Sequence, residues 1–506
     1  MANLLGIDVG TSGTKAIIVG DDGEILGTGT GHHEPLTPCG GWSEQTPDDW
    51  WQSTKMAIAH ACGDAGLNPH AIDGIGLTGQ MHGLVALDHR MTPIRPAILW
   101  NDGRCEPQCH EVEDRLGIER LVALTGNRML PGFTAPKLLW MREHEPAAFE
   151  RITTVLLPKD WIRWKLSGVV AMDVSDASGT AVFDCENRRW SEELLNELDL
   201  PTSWWPDAAE SATVLGMVTA SAAEATGLQA GTPIVAGAGD QAASAVGTGL
   251  VREGTIGAAL GTSGVTFAPS DRWRSTPDGS LHAFCHAVPD RWHLMGVMLS
   301  GAGSLDWFRS AFMPELGSGD DAFRKLETLA TTAPPGSDGL LFLPYLSGER
   351  TPHPDANARG AFIGLDRRHE RRHLARAVFE GVTHGLTDCL NLVRGTGLRT
   401  DVVRLSGGGM KSALWKQSCA DLFGTPVATT TTTEGTAFGA AILAATGIGR
   451  FEDVPTACDA WIRETERIEP GPDAELLKSR HAVYEDLYPA LKDLFPRIAE
   501  NLETER

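Results

Sequence analysis

This sequence of 506 residues has no basic domain, no long apolar run and no framework of paired cysteines. Acidic residues outnumber basic ones 66 to 43, giving a formal charge of −23. No basic patch offsets that charge, so a nucleic-acid partner is not expected. The one dense basic run, Arg367-Arg368-His369-Glu370-Arg371-Arg372-His373, reads as the solvated start of a helix. No apolar stretch approaches the roughly 18 residues that span a bilayer. The opening MANLLGIDVG lacks the basic stretch of a signal peptide, so no membrane partner is expected either. The nine cysteines are scattered and odd in number, which suits reduced thiols in the cytoplasm. Cys105, Cys109 and His110 are spaced faintly like metal ligands, but no second pair follows at zinc spacing.

The usual nucleotide signatures are missing as well. A P-loop needs glycine directly before Lys-Ser/Thr, and here Met410 precedes Lys411-Ser412. No GxGxxG opens a helix after the first strand.

What is present is one small turn used twice. Gly10-Thr11-Ser12-Gly13 recurs half a chain later as Gly261-Thr262-Ser263-Gly264. The first copy lies between the strand-like Leu4–Val9 and Thr14–Val19, with Glu24–Thr30 returning as a third strand. A helix follows over Asp48–Ala65, with Thr46 as a candidate cap. The second copy has the same setting. Thr255–Leu260 and Val265–Pro269 flank it, His282–Val288 and Trp292–Leu299 are further strands, and Ser304–Phe312 is helical. Length and repetition together predict two duplicated domains, 1–250 and 251–506, divided near Leu250, with helices from about Pro470 onward. A polar run, Thr429–Thr433, precedes a helix-like Ala437–Ala445.

Small residues with hydroxyls at a hairpin expose backbone N–H groups, which cradle phosphate oxygens. The alternative is simply a tight turn, but two copies at matching places favour a nucleotide gripped between the halves. In so acidic a chain, binding charge would come from amides and a metal ion. Asp8, just before the first turn, can hold magnesium directly or through water. Ser406–Ser412 follows the strand-like Val402–Leu405 and precedes a helix to about Phe423; its glycines allow a flat ring to approach the backbone, or merely close packing. Asp240 follows the strand and glycines of Pro233–Gly239. It is either a general base beside a substrate hydroxyl or the cap of a helix that starts at Gln241. In Leu77-Thr78-Gly79-Gln80-Met81-His82-Gly83, Gln80 and His82 can bond a polyol with Met81 against its apolar face, or His82 is a satisfied loop histidine.

Taken together, these pieces resemble the FGGY family of carbohydrate kinases within the actin-like ATPase superfamily. Asp8–Ser12 resembles its first phosphate motif and Gly261–Gly264 its second. Two longer patterns also match: Gly132-Phe133-Thr134-Ala135-Pro136-Lys137-Leu138-Leu139-Trp140, and Gly360–Leu365 continued by His373-Leu374 and Ala377–Glu380. The resemblance implies an α/β fold of two actin-like, ribonuclease-H-like domains with a cleft between them. It implies ATP and Mg2+, with the sugar and first phosphate motif on the first half and the second phosphate motif and adenosine site on the second. Asp240 would be the base and Asp8 the acid near magnesium. Gly10, Thr11, Ser12, Thr14, Lys15, Gly261, Thr262 and Ser263 would meet the phosphates. Gly407, Gly408, Gly409 and Lys411 would meet the adenosine side. Met81, His82, Asp240 and Gln241 would hold the sugar, with Arg128 a further contact. A cytoplasmic enzyme, and a homodimer, are further implications.

Within the family, Gly79–Gly83 is most similar to the members that act on xylulose, whereas glycerol kinases place Arg-Glu after the glutamine. Asp240-Gln241 departs from this, since xylulose-specific members commonly carry Asp-Asn. The expected reaction is transfer of the γ-phosphoryl of Mg-ATP to the terminal hydroxyl of D-xylulose. The alternative is another ketose or polyol, such as ribulose.

Overall fold

The protein is described from a computed structural model, which covers residues 2–432 and 435–503. Thr433, the last residue of the polar run, lies outside the described residues.

The first half builds a seven-stranded sheet. β1 (Leu4–Val9), β2 (Gly13–Val19) and β3 (Ile25–His32) are antiparallel neighbours. After helix α1 (Pro47–Ala65), β4 (Gly74–Gly79) pairs parallel to β1. Helix α2 (Thr134–His144) belongs to the segment that covers the sheet's end. β5 (Val214–Met217), β6 (Pro233–Val235) and β7 (Ala238–Gly239) complete the sheet, and helix α3 (Asp240–Gly247) follows directly.

The second half repeats the plan. β8 (Gly254–Leu260) and β9 (Gly264–Ser270) form the hairpin, β10 (His282–Cys285) and β11 (Trp292–Met298) extend it, and helix α4 (Gly303–Phe312) follows. The long helix α5 (Arg371–Gly395) precedes β12 (Thr400–Ser406), which is parallel to β8. Then come α6 (Ala413–Phe423), β13 (Val427–Thr430), α7 (Gly435–Gly447), β14 (Glu464–Ile468) and α8 (Ala474–Glu485). In the first sheet the strands run β3-β2-β1-β4-β6, and in the second β11-β9-β8-β12-β13. The shared order, with a central hairpin beside a parallel return, is the duplication that the two turns signalled.

Sequence patterning explains the layers. β1 and β2 are apolar on both faces, with Leu5, Ile7, Val9, Ile17 and Ile18 fully buried, as suits a sheet covered on two sides. β3 instead carries Gly27, Gly29 and Gly31 on one face, and a Cβ at any of them would strike the backbone of α1. Thr46 stands at the N-cap of α1 without a side-chain cap bond; Pro47 and two aspartates mark its first turn.

The halves are joined by a helix of the second that packs on the sheet of the first. α7, from the second half, lies on β1 and β4 of the first, where Gly6 and Gly76 face the carbonyls of Ala437 and Ala440. α7 also crosses α3, with Gly439 against the Ala243 carbonyl and Gly247 against that of Gly435. Leu4, Ile17, Val19, Val235, Ala242 and Val246 share one core with Phe438, Ile442 and Leu443.

Several boundaries differ from the sequence reading. β10 ends at Cys285, where Arg188 donates to the His286 carbonyl and closes the strand off. The charged β14 was not legible as a strand; it is an edge strand paired to β13, with its side chains largely exposed. The residues after Pro470 do form helices. Tyr484, Leu487 and Phe495 pack them onto Tyr345 and the hairpin Leu341–Leu343/Ala361–Ile363. The basic run starts α5 at Arg371, capped by Glu370 and His373. No helix among the described residues is long and apolar enough to cross a membrane.

Candidate active site

Both GTSG turns are hairpin tips. Gly10 N–H donates to Gly13 O at 3.0 Å, and Gly261 N–H to Ser263 O at 3.1 Å. The first tip is braced from within its own half. Gln45 Nε2 donates to Thr11 O at 2.5 Å, Trp100 Nε1 to Thr11 Oγ1 at 3.0 Å, and His33 Nε2 meets Gly10 O at 2.8 Å. The second tip is braced by the start of α4: Gly301 and Gly303 N–H donate to Thr262 O, and Ala302 N–H to Gly261 O. Thr11, Ser12, Thr262 and Ser263 remain at the surface of these tips. Thr14 is different, because its buried hydroxyl bonds Ser53 Oγ at 3.1 Å inside the sheet. Lys15 stands opposite Asp8 in the strand register.

Asp8 ends β1, and Asp240 opens α3 beside it. Thr436, at the start of α7, donates to Asp8 Oδ2 at 2.6 Å. Asp240 does not cap its helix: Gly239 occupies the N-cap, and no side-chain cap bond forms. Its carboxylate instead receives Gln241 Nε2 at 3.3 Å. Burial pushes its pKa up from 3.8 to about 7, and the negative charge of Asp8 adds to the rise. A carboxylate near neutrality suits proton acceptance at physiological pH.

Met81, His82, Asp240, Gln241 and Ser263 line one cleft of ≈ 520 Å³. His82 is held in a left-handed backbone conformation, φ 69°. Lys137 Nζ on α2 donates to His82 O at 2.8 Å and to Gly132 O at 2.7 Å, and Thr134 Oγ1 donates to His82 O at 3.1 Å. That is the work of the Gly132–Trp140 pattern: a buried lysine, lowered to about 7 by burial, clamps the loop that presents His82. His82 Nδ1 meets Gly179 O at 2.8 Å. A carbonyl only accepts, so Nδ1 carries the proton and Nε2 keeps a lone pair. Burial lowers the His82 pKa to about 3, so this ring stays neutral.

Beneath Asp240 is a buried charge cluster. Lys159 Nζ lies 2.7 Å from Asp160 and Asp173 and 3.2 Å from Asp176. Asp173 accepts from Ser175 Oγ at 2.5 Å, and Ser175 Oγ in turn accepts Gly239 N–H at 3.2 Å. The chain entering Asp240 is thereby pinned.

Profiles of the FGGY family of carbohydrate kinases match residues 3–247 with the N-terminal domain and 257–448 with the C-terminal domain. The chain belongs to the FGGY family of carbohydrate kinases. A xylulose kinase of Escherichia coli is 44% identical over 87% of this chain and 89% of its own. One of Bacillus subtilis is 38% identical over 98% of both chains. The crystal structure of xylulose kinase from Rhodospirillum rubrum superposes with a TM-score of 0.91 at 32% identity, over 97% of this chain and 99% of the other. This FGGY family member is therefore an ATP-dependent carbohydrate kinase with the two-domain actin-like fold.

The remaining residues singled out in the sequence of this FGGY family member fall as follows. Gly407 has φ 83° and packs against the Leu260 carbonyl, so the Gly407–Gly409 turn adjoins the second hairpin. Lys411 is exposed and pairs with Asp320 at 2.9 Å. Gln80 does not line the cleft; it bonds Gln45 Oε1 at 2.8 Å and Thr11 Oγ1 at 3.2 Å, bracing the first hairpin. Arg128 is held by Glu113 through two bonds of 2.7 and 2.9 Å and does not line the cleft. Cys105 and Cys109 are buried, while His110 is exposed and faces away from them.

Sequence reasoning missed the far wall of this family member's cleft, which the second half supplies. His282 and Phe284 alternate on β10 toward His82 and Phe133, with His282 Nδ1 3.2 Å from Asn127 Oδ1. The loop Gly348–Thr351 adds Glu349 and Arg350. Glu349 Oε1 accepts Leu299 and Arg350 N–H at 2.9 and 2.7 Å, while burial pushes its carboxyl to about 8. The letters His-Ala-Phe and Gly-Glu-Arg-Thr-Pro carried the signal, but nothing local says which cleft they face.

Proposed function

We propose that this chain transfers the γ-phosphoryl of ATP to the terminal hydroxyl of D-xylulose, giving D-xylulose 5-phosphate and ADP. The observation that carries the reading is the placement of Met81, His82, Asp240 and Gln241 in one cleft with a phosphate hairpin, in a chain whose relatives are xylulose kinases. The neutral His82 accepts a hydrogen bond from a sugar hydroxyl through Nε2, Met81 and Phe133 give the carbon backbone an apolar face, and Asp240 takes the proton of the attacking hydroxyl. Arg350, with no ion pair among the described residues, stands on the opposite wall and donates to oxygens of the open-chain ketose away from the reacting hydroxyl when the halves close. Closure also excludes water, the competing acceptor of the phosphoryl group. The phosphate contacts are those of the two hairpins, and the adenine side is that of Gly407–Gly409.

Mg2+ belongs to the same proposal. Asp8 and Asp240 are neighbouring carboxylates whose repulsion already raises the pKa of Asp240, a donor set that a hard divalent ion suits. Asp8 would hold the ion directly or through water, and the ion would neutralise phosphate charge. The domain division near Leu250, the cytoplasmic setting and a homodimer are proposed from the resemblance; light scattering tests the last.

The test is ADP release with Mg-ATP against D-xylulose, D-ribulose, L-ribulose, gluconate and glycerol. Preference for D-xylulose supports the reading. Preference for another sugar, still dependent on Asp240, keeps the chemistry and assigns the difference to Gln241, whose longer amide bends back onto the base.

A further inference from the structure

Far from the cleft, four polar side chains converge between two helices. Asp388 and Asn391 lie one turn apart on α5, and His481 and Glu485 one turn apart on α8. His481 Nε2 is 3.4 Å from Asp388 Oδ1, 3.7 Å from Glu485 Oε1 and 3.4 Å from the Asn391 amide. One ligand atom each from Asp388, His481 and Glu485 fits within 4.8 Å. In a tetrahedral zinc site with bonds near 2.1 Å, neighbouring ligand atoms are about 3.4 Å apart. The separations of His481 from Asp388 and from Glu485 are at or near that edge length. Asp388 and Glu485, within 4.8 Å of one another, can adjust by a swing of Glu485, whose side chain is 53% exposed.

The charges point the same way. Asp388 is only 9% exposed and accepts no hydrogen bond from any backbone, hydroxyl or basic side chain among the described residues; its ion-pair contact there is with His481. Neither Asp388 nor Glu485 has an arginine or lysine partner among the described residues. The other ring nitrogen of His481 is already fixed: Nδ1 lies 3.1 Å from His384 Nδ1, with the two rings stacked at 5.2 Å. A histidine whose second nitrogen is anchored in this way is oriented for ligation.

We propose that Asp388, His481 and Glu485 form a binding site for a zinc-class divalent ion, with the Asn391 amide or water as the fourth ligand. The donor set, one imidazole and two carboxylates, suits zinc better than magnesium. Such an ion staples α8 to α5 and has no part in phosphoryl transfer.

The experiment is calorimetric titration of ZnCl2 into EDTA-treated, full-length protein without nucleotide. One equivalent is expected to bind to the wild type and equally to Asp8→Asn, which separates this site from the phosphate end of the cleft. Affinity should fall by more than about tenfold in Glu485→Gln, an exposed change that leaves folding and turnover intact, and vanish in His481→Gln. Zinc should raise the melting temperature of the wild type and not that of His481→Gln. Wild-type protein that binds no zinc, or undiminished binding in both Glu485→Gln and His481→Gln, overturns the proposal.

Discussion

Replacing Asp240 with asparagine should make the protein more stable and nearly inactive at once. The carboxyl is ordinary at 3.8 and rises to about 7 when folded, because burial and Asp8 both oppose its charge. The folded state thus holds the proton more tightly than the unfolded state. Below about pH 4 both are protonated and the group costs nothing. As pH rises towards 7 the unfolded chain ionises freely while the folded chain does not, so stability is lost through that window and stays low above it. A pKa rise of this size corresponds to about 4 kcal/mol, at about 1.4 kcal/mol per tenfold change in proton affinity. Asparagine, which cannot ionise, removes that cost. In metal-free buffer, Asp240→Asn and wild type should therefore unfold alike near pH 4, and the variant should gain up to about 4 kcal/mol by pH 8. Calorimetric melts across pH measure the first effect, and initial rates measure the second, a loss of roughly 10²–10⁴ in kcat. A stability difference that does not grow with pH refutes the electrostatic reasoning. A variant that still turns over refutes the role of base.

Other consequences are equally open to measurement. Asp8→Asn removes one cause of the raised carboxyl, so the acid limb of kcat/KM in the free enzyme, near pH 7 for wild type, should move to lower pH even though the rate itself falls. Gly439→Ala places a Cβ on the Ala243 carbonyl; overpacking should cost about 1–3 kcal/mol and outweigh the ~1 kcal/mol gained in helix propensity, as denaturant midpoints will show. Lys137→Met frees the carbonyls of His82 and Gly132 and should raise the sugar KM about tenfold, close to 1.4 kcal/mol, with the ATP KM unchanged. Arg350→Met should likewise raise the KM for sugar and not for ATP, whereas a purely structural arginine would shift only the melting temperature.

The hairpins were legible because their signal is local: apolar strands of the right length, interrupted by four small residues, occur twice in the same order. Asp240 was legible as a choice between base and cap; its surroundings remove the cap, since Gly239 takes that place, and the base is the reading proposed. Gln80 shows the reverse. Its place beside Met81 and His82 suggests the sugar, yet just past the end of β4 its side chain turns inward to Gln45 and Thr11. Arg128 likewise spends its guanidinium on Glu113, one helix away. His282, Glu349, Arg350 and Thr436 were invisible for a different reason. The first three reach the cleft, and Thr436 reaches Asp8, from the other half of the chain, and no periodicity within a window records a contact across several hundred residues. The Lys159 cluster, four charges with almost no exposure, breaks the expectation that charge lies outside, and composition cannot reveal it.

The crossing of α7 onto the first sheet has a consequence for how the chain is made. β1 and β4 are among the earliest residues to be synthesised, yet the helix that covers their glycine-bearing face begins only at Gly435. Until then one side of the first sheet has no lid, and the growing chain carries bare apolar surface through most of its synthesis. The first half is therefore not a unit that folds and waits for the second. A fragment ending near Leu250 should need a holding chaperone or aggregate, and adding a separate peptide spanning α7 should rescue it.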